Sequence, residues 1–338
     1  MKEVIVSKGP KCKIVDSPIP QAGQDQVLIK VVVSGSNPKD WKRAEAGGEL
    51  NTGDDIAGVV HRVGLNVVEF KPGDRVPLQL SSSLHGDDKR SLVSQAATLP
   101  LAAMTAAYGL YQRLQLPLPW HPATTPTPLI IYGAAGAVGS FAIQLAQLSN
   151  IHPLICIAGN GIPHVESLIS SSKGDVVLDY RAGHEQLVQK LKSSVADAGG
   201  KVEYAFDCIS EHGSYQNICQ VLSRDTGRIT LILPNKKYED IPDEIEKSVT
   251  FVGAAHKDTD PDPWEKKTES AAGNQEFAYV MFRFIGRGLQ EGWFKGHPYE
   301  VVAGGLAGVE SGLRRLKEGK VSAKKLVFRI EDTEGLET

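Results

Sequence analysis

From Leu129 onward the chain alternates short apolar runs with amphipathic ones, and that alternation restricts the folds open to it. "LIIY" is a short, fully apolar strand, and the helix after it carries Val138, Phe141, Ala142, Leu145 and Leu148 on one face. "PLICIAG", "DVVLDY", "VEYAFDCI", "GRITLIL" and "VTFVGAA" read as further buried strands, with helices predicted at "PHVESLISS" and "GHEQLVQKLKSSV". Continuously apolar strands separated by helices build a parallel sheet covered on both faces. At 338 residues the chain exceeds what one core usually organises, so two domains are expected.

Between the first strand and its helix stands "GAAGAVG", Gly133 to Gly139. A dinucleotide loop reads G-x-G-x-x-G; here Ala134 takes the first glycine's place, with Gly133 just before it. The chemistry needs a tight turn, a bulk-free approach to a pyrophosphate, and amides at a helix amino terminus facing the anion. Gly136 meets the second need and Gly139 permits close helix–sheet packing, while Ala134 is tolerable if its φ stays negative. Ala135, Gly136, Ala137 and Val138 are therefore candidate pyrophosphate contacts. A turn built of small residues for packing alone is the competing reading, and the strands that follow weigh against it. The second strand ends in Gly159-Asn160-Gly161 without the acid that binds a ribose 2′-hydroxyl. Asn160 can donate to a 2′-phosphate, and Lys173 or Arg181 can add charge although the sequence places neither. NADP(H) is the expected cofactor.

From Val27 to about Val76 the text changes to short strands broken by turns: "QVLIKVVVSG", "DIAGVVHRVG" and the Pro-Gly-Asp turn of "FKPGDRV". "LPLAAMTAAYGLYQRL" reads as helix and "QLPLPWHPATTPTP" as a connection. After His256 a polar loop leads into an amphipathic helix with Phe277, Val280, Met281, Phe284 and Ile285, and "KKLVFRI" is a closing strand. The net charge of −3, with both signs mixed along the chain, suggests neither nucleic acid nor an anionic membrane as partner. No segment reads as a bilayer span or a secretory signal. The four scattered cysteines form no C-x-x-C pair, which fits a reducing, cytoplasmic setting.

Taken in order, "DQVLIKVVVSGSNPKDWKRAEAG", "TGDDIAGVVHRVG", "FKPGDRV", "AATLPLAAMTAAYGLYQRL" and "YGAAGAVGSFAIQLAQL" resemble the medium-chain dehydrogenase/reductase superfamily, and the loop resembles that of its zinc-independent quinone and enoyl reductases. The closing "GWFKGHPYEVVAGGLAGVESGLRRLKEGKVSAKKLVFRI" is similar to fungal members, some of them trans-acting enoyl reductases of polyketide pathways. The resemblance implies an α/β protein of two domains: a GroES-like β-rich catalytic domain (1–100 and 257–338) and a Rossmann doubly wound parallel sheet domain (101–256). It also implies a cleft between domains for nicotinamide and substrate, and a homodimer.

Zinc-dependent relatives carry cysteine where this chain has Asn37, and histidine where it has Asp54, so no catalytic metal is expected. Without a Lewis acid, reduction of an activated C=C needs only hydrogen-bond donors at the enolate oxygen. The expected activity is NADPH-dependent reduction of an enone, quinone or polyketide-type enoyl group. By resemblance, the Asn37-Pro38 turn lies against the nicotinamide and Thr105 reaches its carboxamide or the substrate carbonyl. Lys39 or Lys42 are candidate donors near the substrate, each with a solvated surface lysine as the alternative, and Asp40 is expected to cap a turn or helix. Tyr180 near the ribose phosphate, Ile209 against the cofactor and Lys325 as a cofactor or strand residue complete the implied set. Relatives carry a longer segment between "GDRV" and "AATLPLAA"; here only "PLQLSSSLHGDDKRSLVSQ" intervenes, read as a loop over Ser81–Ser94, so that either the barrel is open on that side or "PLQLSSS" makes a substitute edge strand. An alcohol or aldehyde reductase, or an NADPH-binding protein with little catalysis, are the other readings.

Overall fold

A computed structural model describes residues 1–76, 87–234, 236–256 and 273–336. The chain divides into two compact units, Met1–Leu101 with Ile285–Thr338, and Ala102–Phe284. The later boundary falls within a helix, past the 256/257 position expected from the sequence.

The first unit opens with an antiparallel hairpin of β1 (Lys2–Ser7) and β2 (Lys11–Asp16). β3 (Val27–Gly35) leads into α1 (Pro38–Glu45), whose start is fixed by Pro38 in its first turn and by the Asn37 amide donating to the Asp40 carboxylate at 2.7 Å. β4 (Asp55–Val63) returns antiparallel to β3, and β5 (Arg75–Val76) adds to β4. The polar run expected to be a loop as far as Ser94 is helical from Asp87: α2 (Asp87–Ala96). It contains neither glycine nor proline, and it buries Ser94 and Ala96, so side-chain packing outweighs its polar composition. The edge strand considered at "PLQLSSS" lies outside the described residues.

α3 (Pro100–Ala107) runs across the boundary and continues as a π-helical turn, Tyr108–Arg113. The second unit follows as β6 (Leu129–Tyr132), α4 (Ala137–Leu148), β7 (Leu154–Ala158), α5 (Ile162–Glu166), β8 (Val176–Asp179), α6 (His184–Asp197), β9 (Tyr204–Asp207), α7 (Ser214–Cys219), β10 (Arg228–Leu231) and β11 (Glu246–Val249). All six strands are parallel in the order β11-β10-β9-β6-β7-β8, so the order reverses between β6 and β9. That reversal is where doubly wound sheets open a crevice for ligands. Ile130, Ile155, Ile157, Ala205 and Ile229 form the core of the sheet against Leu187, Leu191 and Ile218. The last strand is Glu246–Val249, not "VTFVGAA"; Val252–His256 is a 3-10 turn. β10 ends at Leu231, and the Thr250 amide makes the final bond to it, so extended backbone beyond Thr250 would have no partner.

α8 (Asn274–Glu291) brings the chain back to the first unit, where β12 (Tyr299–Val301), α9 (Val309–Lys317) and β13 (Lys325–Arg329) complete it. The five-stranded sheet has the order β12-β13-β3-β4-β5, which places the closing strand directly beside β3. No helix among the described residues is long and apolar enough to cross a membrane.

Candidate active site

The glycine loop sits at the carboxyl end of β6, at the switch point. The left-handed turn falls on Gly133 (φ +77°), one residue before Ala134, which has no positive φ. The motif therefore works as Gly133, Gly136 and Gly139, and Ala134 is buried without strain. A Cβ at Gly139 would meet the Ala134 Cα at 2.6 Å, so this glycine lets α4 press against the loop. Gly136 caps α4 and is exposed. Its amide closes the turn onto the Gly133 carbonyl, and the first helical bond runs from the Ser140 amide to the Gly136 carbonyl. The amides of Ala135, Ala137 and Val138 donate to no atom of the described protein. Unpartnered amides at the positive end of a helix form a cradle suited to a pyrophosphate; Ala135, Ala137 and Val138 are three of the four candidates taken from the sequence, while the amide of the fourth, Gly136, is spent inside the turn.

Gly159 and Asn160 follow β7 on one side of the loop. A Cβ at Gly159 would meet the Tyr180 ring at 2.8 Å; Tyr180 stands over this turn, 47% exposed and stacked on Tyr132 with centroids 6.4 Å apart. Arg181 donates to the Asn160 side-chain oxygen and to Asp179, the latter at 2.6 Å. The Arg181 guanidinium holds the Asp179 carboxyl down at about 2. Lys173 is placed differently. It precedes β8, and its ammonium donates to Asn150 at 3.1 Å, at the amino ends of the strands. The sheet thus carries Lys173 to the opposite end from the loop and brings Arg181 to Asn160. On the other side, Ile209 leans on Gly133, where a Cβ would meet its Cγ1 at 2.6 Å. Thr105 is buried on α3 in this second unit.

The first unit holds a buried polar cluster at the ends of β3 and β4 and the start of β13. Lys325 and Asp55 are 4% and 0% exposed and form an ion pair. The Lys325 ammonium also donates to the Asn37 Oδ1 at 2.9 Å, and the Asn37 amide nitrogen donates to Asp55 at 2.8 Å. The other Asp55 oxygen accepts the Leu101 amide at 2.7 Å. Asp55 thus ties together four segments, a role the sequence did not reveal; its only sequence signal is its place in "GDD", and its partner lies 270 residues away. Both Asn37 and Lys325 are engaged in this cluster. Lys39 meets three acceptors, Thr52 O and Asp54 at 2.6 Å and Asp40 at 3.1 Å. Burial pushes the Asp40 carboxyl up to about 6, against the pull of Lys39. Lys42 is half-buried, 5.6 Å from the Trp41 ring centroid. No group of histidine, cysteine and acidic side chains that could hold a metal ion occurs among the described residues.

Residues 23–115 match the alcohol dehydrogenase GroES-like domain. The trans-enoyl reductase fsr4 of Gibberella fujikuroi is 47% identical over 329 residues, which cover 91% of this chain and 92% of that protein. The chain belongs to the medium-chain dehydrogenase/reductase superfamily, among the trans-enoyl reductases. Solved structures agree on the fold. The CurK enoyl reductase superposes with a TM-score of 0.71 at 19% identity, covering 97% of this chain and 98% of that one. The quinone oxidoreductase of Pseudomonas syringae pv. Tomato DC3000 gives 0.69 at 19% identity, covering 96% and 99%. For a medium-chain reductase, the cradle at α4 and the Asn160–Arg181 pair fit a nicotinamide dinucleotide, since both present unspent or charged donors to an anion.

Proposed function

We propose that this reductase uses NADP(H), without a metal, to reduce the C=C of an enone, quinone or polyketide-type enoyl group. The observation that carries the cofactor reading is the set of unpartnered amides of Ala135, Ala137 and Val138 at the amino end of α4. When bound, the dinucleotide supplies hydride from C4 of its nicotinamide. The preference for a 2′-phosphate is supported by Arg181 and Asn160 and by the absence of an acid after β7. Tyr180 covers the same turn with an aromatic face. By the resemblance, Thr105 serves the nicotinamide carboxamide or the substrate carbonyl, and Lys39 or Lys42 is the candidate donor to the substrate oxygen, where an ammonium stabilises developing enolate charge. Asn37 and Pro38 act through the rigidity that Asp55 and Lys325 impose on their turn. The enoyl class rests on the similarity to fsr4. A cytoplasmic setting is supported by the thiols of Cys12, Cys156, Cys208 and Cys219, which are free. A homodimer is consistent with β11, whose outer edge is unpaired among the described residues.

The test is NADPH oxidation against a panel of α,β-unsaturated thioesters, enones, quinones and aldehydes, with and without chelator. Turnover of unsaturated acceptors that persists in chelator is expected. Exclusive turnover of aldehydes, or NADPH binding with no turnover of any acceptor, would overturn the reading.

A further inference from the structure

The hairpin of β1 and β2 leaves one of its edges open. Met1 and Ser17 exchange hydrogen bonds at 2.6 and 2.8 Å, so the ladder continues through the odd-numbered pairs Glu3–Val15, Ile5–Lys13 and Ser7–Lys11. The even-numbered residues turn their amides away from the partner strand. On β1 the outward amide of Val6 is taken by the Leu50 carbonyl at 2.9 Å. On β2 the outward amides are those of Cys12, Ile14 and Asp16. The Cys12 amide donates to the Glu310 carboxylate at 2.9 Å, an oxygen standing where the carbonyl of a neighbouring strand would stand. The amides of Ile14 and Asp16 donate to no atom of the described protein. Beside this edge runs a groove of about 830 Å³, walled by Ile14 on the hairpin and by Leu306, Ala307, Ser311 and Arg314 on α9 and the turn before it. Ile14 is 37% exposed there. Lys11 and Lys13, on the opposite face of β2, are exposed and pair with no carboxylate among the described residues.

We infer that this edge takes up an extended peptide of another protein as a third strand, its apolar residues turned to Ile14 and the groove and its acidic residues lying beside Lys11 and Lys13. Two residues of a strand advance about 6.8 Å, so Cys12, Ile14 and Asp16 present donors at a main-chain repeat, which another extended main chain answers. Glu310 already fills the first rung with an oxygen, and the next two stand open. The groove has the volume of pockets that enclose a small ligand, about 300–1,000 Å³, and gives the inward side chains of such a segment a place to bury. Charge selects the occupant. Pairing of two β2 edges would bring the lysines at 11 and 13 of both copies onto one face, where like charges repel, whereas glutamate or aspartate at those places gains about 0.2–1 kcal/mol for each cross-strand pair.

The experiment is fluorescence anisotropy of the full chain with a short fluorescein-labelled peptide of alternating valine and glutamate. Saturable binding with Kd below about 1 mM is expected, weakened about tenfold when lysine replaces glutamate in the peptide. An added strand turns only alternate amides to its neighbour, so N-methylation of the valines or of the glutamates should abolish binding, and methylation of the other set should spare it. Ile14→Pro removes an outward amide, leaves the bonds between β1 and β2 intact, and should weaken the glutamate peptide about three- to tenfold. The double variant Lys11→Glu, Lys13→Glu should reverse the preference toward the lysine peptide. Thermal melting checks that each variant folds, and the methylated peptides test the wild-type chain even if Ile14→Pro does not. Absence of saturable binding, equal effects of the two methylation patterns, or an unchanged glutamate preference in the double variant would overturn the inference. Sedimentation showing wild-type self-association that Ile14→Pro abolishes would give the edge to a second copy and overturn it as well.

Discussion

The buried pair Lys325–Asp55 offers the sharpest test of how the first unit is held together. Both side chains are out of solvent, so removing one leaves the other without its countercharge in a low-dielectric site. Such losses run to about 3–5 kcal/mol, and the geometry orders the variants within that range. In Lys325→Met, Asp55 keeps two donors, the Asn37 side-chain amide at 2.8 Å and the Leu101 amide at 2.7 Å, so the loss should lie near about 3 kcal/mol. In Asp55→Asn, the buried ammonium loses its carboxylate and keeps the Asn37 oxygen, so the loss should approach about 5 kcal/mol. The double variant removes both charges and should be more stable than Asp55→Asn alone. Urea unfolding at pH 7, followed by circular dichroism with midpoints and slopes compared across the cycle, measures all three. Single variants within about 1 kcal/mol of wild type, or a double variant whose loss equals the sum of the singles, would refute the coupling.

Further outcomes follow from the nucleotide loop and the buried acids. Arg181→Ala should weaken NADPH about tenfold and leave NADH nearly unchanged, whereas Asp179→Asn, which frees the guanidinium, should strengthen NADPH; fluorescence titration reads both, and parallel changes for the two cofactors would contradict the assignment. Gly139→Ala places a methyl against the Ala134 Cα and should cost about 1–3 kcal/mol together with loss of dinucleotide binding, read by thermal melting with and without NADPH. Asp40 titrates at about 6 in the folded chain, above its ordinary 3.8, so the native state binds its proton more tightly than the unfolded chain does. Stability should therefore fall as pH rises from about 4 to about 6, and Asp40→Asn should flatten that part of the profile in urea midpoints taken across it.

Much of the second unit was legible because its signals are local. A strand buried on both faces must be apolar throughout, and a turn that admits an anion must be small, so "LIIYGAAGAVG" announces β6 and the cradle without reference to distant residues. β11 escaped the same reasoning, because an edge strand needs only one partner and can be written "EKSV". α2 escaped because a polar, serine-containing run helical through packing looks like a loop in sequence. Tertiary structure alone decided the charges. Arg181, and not Lys173, reaches Asn160 because parallel strands send residues before and after β8 to opposite ends of the sheet. Asp55 became the hub of the first unit because the closing strand lies beside β3, carrying Lys325 to a carboxylate far away in sequence. Sequence fixes what each segment can do through its own periodicity, whereas the pairing of buried charges depends on which segments the sheet makes neighbours.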